Sequence, residues 1–284
     1  MKVRLSRRLC KSIHESAYNV NMPDGGTLPA RGANTGALEL FRTFRIFGLT
    51  VRLTVVQKQY VRSLFDSIAR RYDLLNHLLS GGVDTYWRRR AINHLRPVAG
   101  GRILDVATGT ADFAIAAARL APREVVGVDI ADEMLALGRK KLAARGLSGI
   151  VSLRNGEAES LPFAEGSFDA AIVAFGVRNF ERLDGGLAEM RRVLRPGGKL
   201  VVLEFSRPRR FPFRQIYLFY FLNVIPLIGR LLSGNSEAYA YLPASVMVFP
   251  EGDEFLALLI SAGFTRTHAE RLTFGIASIY TAEK

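Results

Sequence analysis

Between Arg102 and Glu204 short apolar runs alternate with stretches of helical period: RILDVA, then AIAAARLA; VVGVDI, then DEMLALGRKKLAA; IVSLRN; DAAIVAF, then GGLAEMRRVL; and KLVVLEF. Uninterrupted apolar runs mark strands covered on both faces, and strands joined through helices run parallel, so the pattern predicts a doubly wound α/β domain. Arg195-Pro196-Gly197-Gly198 predicts a helix stop and a turn ahead of a strand over 199–205, because proline cannot continue the helix and glycine frees the backbone. Past Phe205 the alternation lapses. It resumes near FTRTHAERL and IASIYTA as a terminal pair, expected antiparallel, which leaves 206–255 as a helical insertion.

Hydrophobic residues make up 49% of the 284 and charged residues 23%, which excludes disorder and collagen and allows a sizeable core. The net charge is +13, but nine Lys/Arg against three acids fall within residues 1–56. Residues 57–284 carry 30 basic against 23 acidic groups and form the expected functional domain. The basic stretch 1–56, rich in Gly, Pro and Asn from 21 to 36, is expected to be a disordered extension. Its opening, MKVRLSRRLCKSIHESAYNV, is Arg-rich and acid-poor like a transit peptide but lacks a secretory apolar run. It is read as a tail, or as residues ahead of the functional start, in preference to organelle targeting, so the expected location is cytoplasmic. Cys10 is the single cysteine, and no Cys/His cluster has metal-ligand spacing, so no metal site is expected. The apolar stretch QIYLFYFLNVIPLIG between Arg214 and Arg230 has fifteen residues, interrupted by Asn223, Pro226 and Gly229. Spanning a bilayer takes roughly 20, so a buried or interfacial helix pair is expected.

Doubly wound sheets bind ligands at the carboxyl ends of their strands, near the switch in strand order. After the first strand, Asp105-Val106-Ala107-Thr108-Gly109-Thr110-Ala111-Asp112 forms a turn opening a helix; glycine occurs only at 109, a poor cradle for a pyrophosphate. Asp129 follows the second strand, twenty residues past Gly109, placed to accept hydrogen bonds from both ribose hydroxyls. The pair suggests an adenosine without a pyrophosphate. The third strand leads into Gly156-Glu157-Ala158-Glu159-Ser160-Leu161-Pro162-Phe163, which offers an acidic acceptor and an apolar wall to an adenine. The fourth ends in Phe175-Gly176-Val177-Arg178-Asn179-Phe180. Read singly, an acid such as Asp129 after a strand is more often a cap or surface acid, and Glu157 most often a solvated turn residue.

The ordered set of a DxxTGT turn, an acid twenty residues on, an AExLPF segment and an LRPGG turn resembles the Rossmann-like class I S-adenosylmethionine-dependent methyltransferases. Phe65-Asp66-Ser67-Ile68-Ala69, Arg71-Tyr72-Asp73-Leu74-Leu75-Asn76, Leu79-Ser80-Gly81-Gly82, Trp87-Arg88, Phe175-Gly176-Val177-Arg178-Asn179 and Leu203-Glu204-Phe205-Ser206 further resemble the UbiE/MenG family, whose members methylate a ring carbon of ubiquinone and menaquinone precursors. The resemblance runs from about Gln57 to Lys284, and the DVATGTAD form is closer to menaquinone-type members. It implies S-adenosyl-L-methionine as cofactor, held by Thr110, Asp129, Glu157 and Ala158. Some relatives have serine at the position of Ala174, which here offers only backbone or packing. The resemblance also implies Arg178, Asn179 and Tyr72 at a prenylated quinol, most closely demethylmenaquinol, with Asp73, His77 or Asp84 as nearby proton acceptors.

A phenol with a pKa of about 10 needs help to ionise at neutral pH. Arg178 stays protonated and cannot be the base, so its expected part is to stabilise the quinolate oxygen or polarise a water. A charge placed directly after a buried strand also demands a facing carboxylate or ligand. The aromatic-rich 211–232, with the helix through Tyr60, Leu64 and Phe65, is expected to wall a groove for the isoprenoid tail, an ordinary helical core being the alternative. Flanking Arg207, Arg209, Arg210, Arg214 and Arg230 favour an anionic lipid surface, hence peripheral membrane association. A homo-oligomer stays open, and nucleic acid is not an expected partner, because the body lacks a basic and aromatic stacking face. Rival readings are methylation of the benzoquinol intermediate of ubiquinone, an RNA methyltransferase, a non-catalytic membrane-surface module and a nicotinamide oxidoreductase.

Overall fold

The computed structural model describes residues 41–46, 49–54, 58–224 and 236–284, with the side chains of 41–54, 70–71, 74–79, 222 and 236–240 outside the description. Strands β1 (Phe41–Ile46) and β2 (Leu49–Thr54) pair antiparallel, separately from the main sheet. They fall within the stretch expected to be disordered; FRTFRI and LTVRLT are rich in the aromatic and β-branched residues that favour extended backbone. Residues 1–40 lie outside the described residues.

The main sheet contains β3 (Arg102–Val106), β4 (Glu124–Asp129), β5 (Val151–Asn155), β6 (Phe168–Ala174), β7 (Leu194–Phe205), β8 (Thr265–Leu272) and β9 (Ala277–Glu283), in the spatial order β5-β4-β3-β6-β7-β9-β8. From β5 to β7 every pairing is parallel; β9 runs antiparallel to both β7 and β8, as the terminal apolar segments foretold. Successive strands step outward from β3 to β5, and the chain then returns to place β6 on the other side of β3. The switch point therefore lies between β3 and β6.

Alternation along the strands divides the core in two. Leu104, Val106, Val126, Val128, Ala171 and Val173 pack on one face, against α5 (Leu183–Val193) and α8 (Asp253–Ser261). Ile103, Val125, Val151, Leu153, Ala170 and Ile172 pack on the other, with α2 (Val83–Asn93), α3 (Asp112–Ala117) and α4 (Asp132–Ala144). Both faces are dry, which is why the runs read as continuously apolar. Ahead of these elements lies α1 (Lys58–Leu79); α6 (Phe213–Phe219) and α7 (Ser236–Val248) come between β7 and α8.

Two boundaries depart from the sequence reading. Arg195-Pro196-Gly197-Gly198 belongs to β7, which starts at Leu194, and the parallel register with β6 breaks between Phe168 and Ala170. Gly197 takes φ +73°, and a Cβ at Gly198 would stand 2.8 Å from the Arg195 carbonyl oxygen, so the glycines make a bulge inside the strand where a free turn was expected. The helical stretch also runs past 255, because α8 continues to Ser261 before Gly263 turns the chain at φ +87°.

Candidate active site

The turn after β3 is wound tightly. Ala107, Gly109 and Ala111 take φ values of 53°, 55° and 69°, and left-handed backbone costs a residue with a Cβ about 1–2 kcal/mol. Hydrogen bonds hold it: Thr108 Oγ1 donates to Asp105 Oδ2 at 2.6 Å, and the Thr108 N–H to the Val128 carbonyl at 3.0 Å. Gly127 makes room, since a Cβ there would lie 2.8 Å from Thr108 Oγ1; a Cβ at Gly176 would come within 2.6 Å of Ala107 Cβ. The loops after β3, β4 and β6 thus meet closely at the switch point.

Asp129 joins two of them. Its Oδ2 accepts the Gly109 N–H at 2.7 Å and its Oδ1 the Ala131 N–H at 2.9 Å. Burial pushes the carboxyl up, and the amides of Ala131 and Gly109 oppose that. A carboxylate accepts about four hydrogen bonds, so these two leave capacity for a ligand.

Above the carboxyl ends of the parallel strands opens a cleft with about 700 Å³ of atom-free space, part of it continuous with solvent. Gly109, Val128, Asp129 and Ile130 line it from the first two loops, Gly156, Ala158 and Glu159 from the third, Ala174 to Gly176 and Asn179 to Glu181 from the fourth. Lys58, Val61, Phe65 and Tyr72 of α1, with Met134 of α4, complete its wall. Tyr72 packs edge-on to Phe65, ring centroids 5.9 Å apart. Mostly apolar walls with a few convergent polar groups are what a small-molecule site requires.

Of the expected site residues, Tyr72, Asp129, Ala158 and Asn179 line this cleft together, as does Ala174. Three others do not. Glu157 is exposed and accepts the Lys58 ammonium at 2.6 Å, bridging the rim to α1; a solvated charge pairs more readily there than in an apolar wall. Thr110 is buried beneath the turn, where its Oγ1 donates to Asp73 Oδ1 at 2.5 Å and accepts from Lys141 Nζ at 3.1 Å.

Arg178 is the third. Its Nη1 donates to Glu204 Oε1 at 2.7 Å and to the Phe175 carbonyl, and its Nε to Ser245 Oγ at 3.3 Å. The Arg178 side chain is 5% exposed and the Glu204 side chain 0%. The demand for a facing carboxylate is met by Glu204, and Arg178 stands behind the residues that line the cleft, where the resemblance had implied a place at the quinol oxygen. Burial raises the Glu204 carboxyl, and Arg178 draws it back down.

The proposed proton acceptors are also engaged. Asp73 Oδ2 sits 2.6 Å from Lys141 Nζ, and buried Asp84 binds Arg88 and, at 2.9 Å, Ser80 Oγ. The His77 side chain lies outside the described residues. Among the described residues no cluster of His, Cys, Asp and Glu is placed to hold a metal.

Sequence reasoning passed over several groups. Tyr241 of α7 donates from its hydroxyl to Asn179 Oδ1 at 3.0 Å, fixing the amide; nothing in the surrounding sequence marks it. Glu204 stands in Leu203-Glu204-Phe205-Ser206, where an acid ending an apolar run is a usable signal. Lys58 lies 3.8 Å from Glu159 and 3.7 Å from Glu181, so α1 latches onto two loops through one ammonium.

The comparisons fit this geometry. A solved S-adenosylmethionine-dependent methyltransferase from Thermotoga maritima superposes with a TM-score of 0.57 at 20% identity, over 78% of this chain and 99% of that one. The cyclase SpnF superposes at 0.54 and 19% identity, over 80% of this chain and 96% of its own, so the fold alone does not decide the chemistry. Sequence relatives are much nearer. Demethylmenaquinone methyltransferase of Bacteroides fragilis is 48% identical over 229 residues, covering 80% of this chain and 94% of that protein. The ubiquinone/menaquinone biosynthesis C-methyltransferase UbiE of Geobacter sulfurreducens is 51% identical over 226 residues, 79% of this chain and 88% of its own. With a family model matching residues 53–284 as well, the chain belongs to the ubiE/COQ5 methyltransferase family.

Proposed function

We propose that this protein methylates a ring carbon of a prenylated quinol, demethylmenaquinol, with S-adenosylmethionine as donor, acting in the cytoplasm as a peripheral membrane protein. The observation that carries the reading is one cleft lined by both Asp129 and Asn179. The donor set suits the cofactor: Asp129 for a ribose diol, the loop through Ala158 for an adenine, and Gly109, whose Cβ position meets nothing within 4 Å, for close approach.

When bound, S-adenosylmethionine supplies an electrophilic methyl carbon and needs no metal. The chain's residues have to favour the quinolate, since loss of a ring hydroxyl proton makes the ortho carbon nucleophilic. With its Oδ1 held by Tyr241, Asn179 has its amide N–H groups left to hold that oxygen, and Tyr72 lines the same cleft. The hydroxyl proton passes to water. Aromatic and aliphatic walls from Phe65, Val61 and Met134 exclude bulk water around the reacting carbon.

Relatives named for both quinone pathways favour a second substrate, the benzoquinol precursor of ubiquinone. Turnover of the two quinols by the purified enzyme decides between them: kcat/KM for demethylmenaquinol is expected to exceed that for the benzoquinol by about tenfold or more. The reverse ratio would transfer the assignment to the ubiquinone pathway, and turnover of neither would remove it.

A further inference from the structure

The preceding reading puts the substrate in a membrane, and resting on it, we propose that the protein docks on an anionic bilayer through one face: Phe211, Phe213, Ile216 and Phe219 around α6, together with Phe274 of the β8–β9 turn. These residues are 80%, 38%, 61%, 66% and 69% exposed, and they account for most of the large apolar side chains left in solvent among the described residues. The rings of Phe213 and Phe274 stack at 4.1 Å with 5° between their planes, which brings the β8–β9 turn against the start of α6. A continuous exposed apolar surface on a monomer marks an interaction site.

The helix is seated on the protein through Tyr217. Tyr217 is buried and stacks on Phe221 at 4.8 Å, within a cluster that includes Leu64 and Tyr60 of α1 and Tyr241, the residue that holds Asn179. Phe213, Ile216 and Phe219, at spacing three, are exposed. Interfacial helices show this arrangement, one face seated on protein or headgroups and the other in acyl chains. The cluster beneath the helix thus reaches the active-site cleft through Tyr241, whose hydroxyl bonds Asn179.

Phe274 is held outward by the backbone. Thr273 and Phe274 take φ values of 47° and 57°, a strained pair for residues with side chains. The turn is anchored from beneath: Trp87 Nε1 donates to Thr273 Oγ1 at 2.7 Å, and Ser206 Oγ to the Gly275 carbonyl at 2.8 Å. Nothing in the core uses the ring that this strain presents.

Charge names the occupant. Arg209, Arg210 and Arg214 are exposed along the same segment, and Arg271 is exposed beside the turn. The acid among them, Glu251, is buried and lies 3.5 Å, 3.9 Å and 4.0 Å from Arg207, Arg209 and Arg271. An aromatic patch bordered by arginines matches lipid headgroups of negative charge, the arginines reaching phosphates while the rings enter the acyl boundary.

The test is co-sedimentation of the full chain with vesicles of phosphatidylcholine alone or with roughly one-third phosphatidylglycerol. The expected result is binding to the anionic vesicles that falls about tenfold in the triple variant Phe211→Ser/Phe219→Ser/Phe274→Ser, and similarly in Arg209→Glu/Arg210→Glu/Arg214→Glu. Circular dichroism melting confirms that both variants are folded, and both retain turnover of a short-tailed quinol in detergent. Unchanged binding by both variants would assign the attraction to the basic residues before 57 and overturn the proposal. Loss of self-association in the first variant without loss of vesicle binding would overturn it in favour of a second copy of the chain. Absence of turnover in the wild type with every quinol is a different failure, that of the methyltransfer reading.

Discussion

Arg178 Nη1 lies 2.7 Å from Glu204 Oε1, joining the turn after β6 to the end of the neighbouring β7 through a pair almost wholly removed from water. Taking away one member leaves an unpaired buried charge. Arg178→Met or Glu204→Gln alone is expected to destabilise by about 3–5 kcal/mol, and the double substitution by much less than the sum. Urea unfolding of the four proteins measures this. Additive losses would show that the pair is not coupled and return Arg178 to a role at the substrate.

Asn179 receives its orientation from Tyr241. Asn179→Ala is expected to lower kcat by about a hundredfold with S-adenosylmethionine affinity within about twofold, and Tyr241→Phe to lower kcat by about tenfold. Steady-state kinetics beside calorimetry separates the two quantities. An equal fall in cofactor affinity would place Asn179 in the cofactor site.

Lys141 holds α1 down by reaching Asp73 at 2.6 Å, Asp112 at 2.7 Å and Thr110 at 3.1 Å. Partly exposed ion pairs are worth roughly 0–1 kcal/mol each, so Lys141→Met is expected to weaken cofactor binding about threefold to tenfold. Raising the salt should weaken wild-type binding by a similar factor and leave the variant nearly unaffected. Calorimetry at low and high salt reads both; a variant as salt-sensitive as the wild type would mean that the latch lies elsewhere.

Asp105 is buried with one oxygen unpartnered, and burial pushes its carboxyl up to about 7, although Thr108 donates to it. Its native value stands above its unfolded value, so between about pH 4 and pH 7 the native state holds the extra proton and stability falls as pH rises. Asp105→Asn should flatten that part of the Tm–pH curve. A variant whose curve stays as steep as the wild type's would show that Asp105 is ionised throughout.

The sheet was legible because strands dry on both faces leave unbroken apolar runs, and Asp129 was legible because its place at the end of β4 follows from them. The bulge at Gly197-Gly198 was not, since RPGG reads equally as a free turn until pairing with β6 is known. Arg178 could be read as needing a carboxylate, but whether Glu204 or a ligand supplied it depended on α7 and β7 closing behind it. Lys58, Tyr241 and Lys141 act across 60 to 100 residues or between helices whose docking no local pattern encodes, so their contacts appeared only with the fold.

Transfer of a carbon-13 methyl group from S-adenosylmethionine to demethylmenaquinol, followed by NMR of the product in wild type and Asp129→Asn, tests most directly whether this cleft carries out ring methylation. The expected result is label on the ring carbon with the wild type, and a loss of cofactor affinity of about tenfold or more in the variant. Unlabelled quinol with the wild type, or full cofactor affinity in Asp129→Asn, would contradict it.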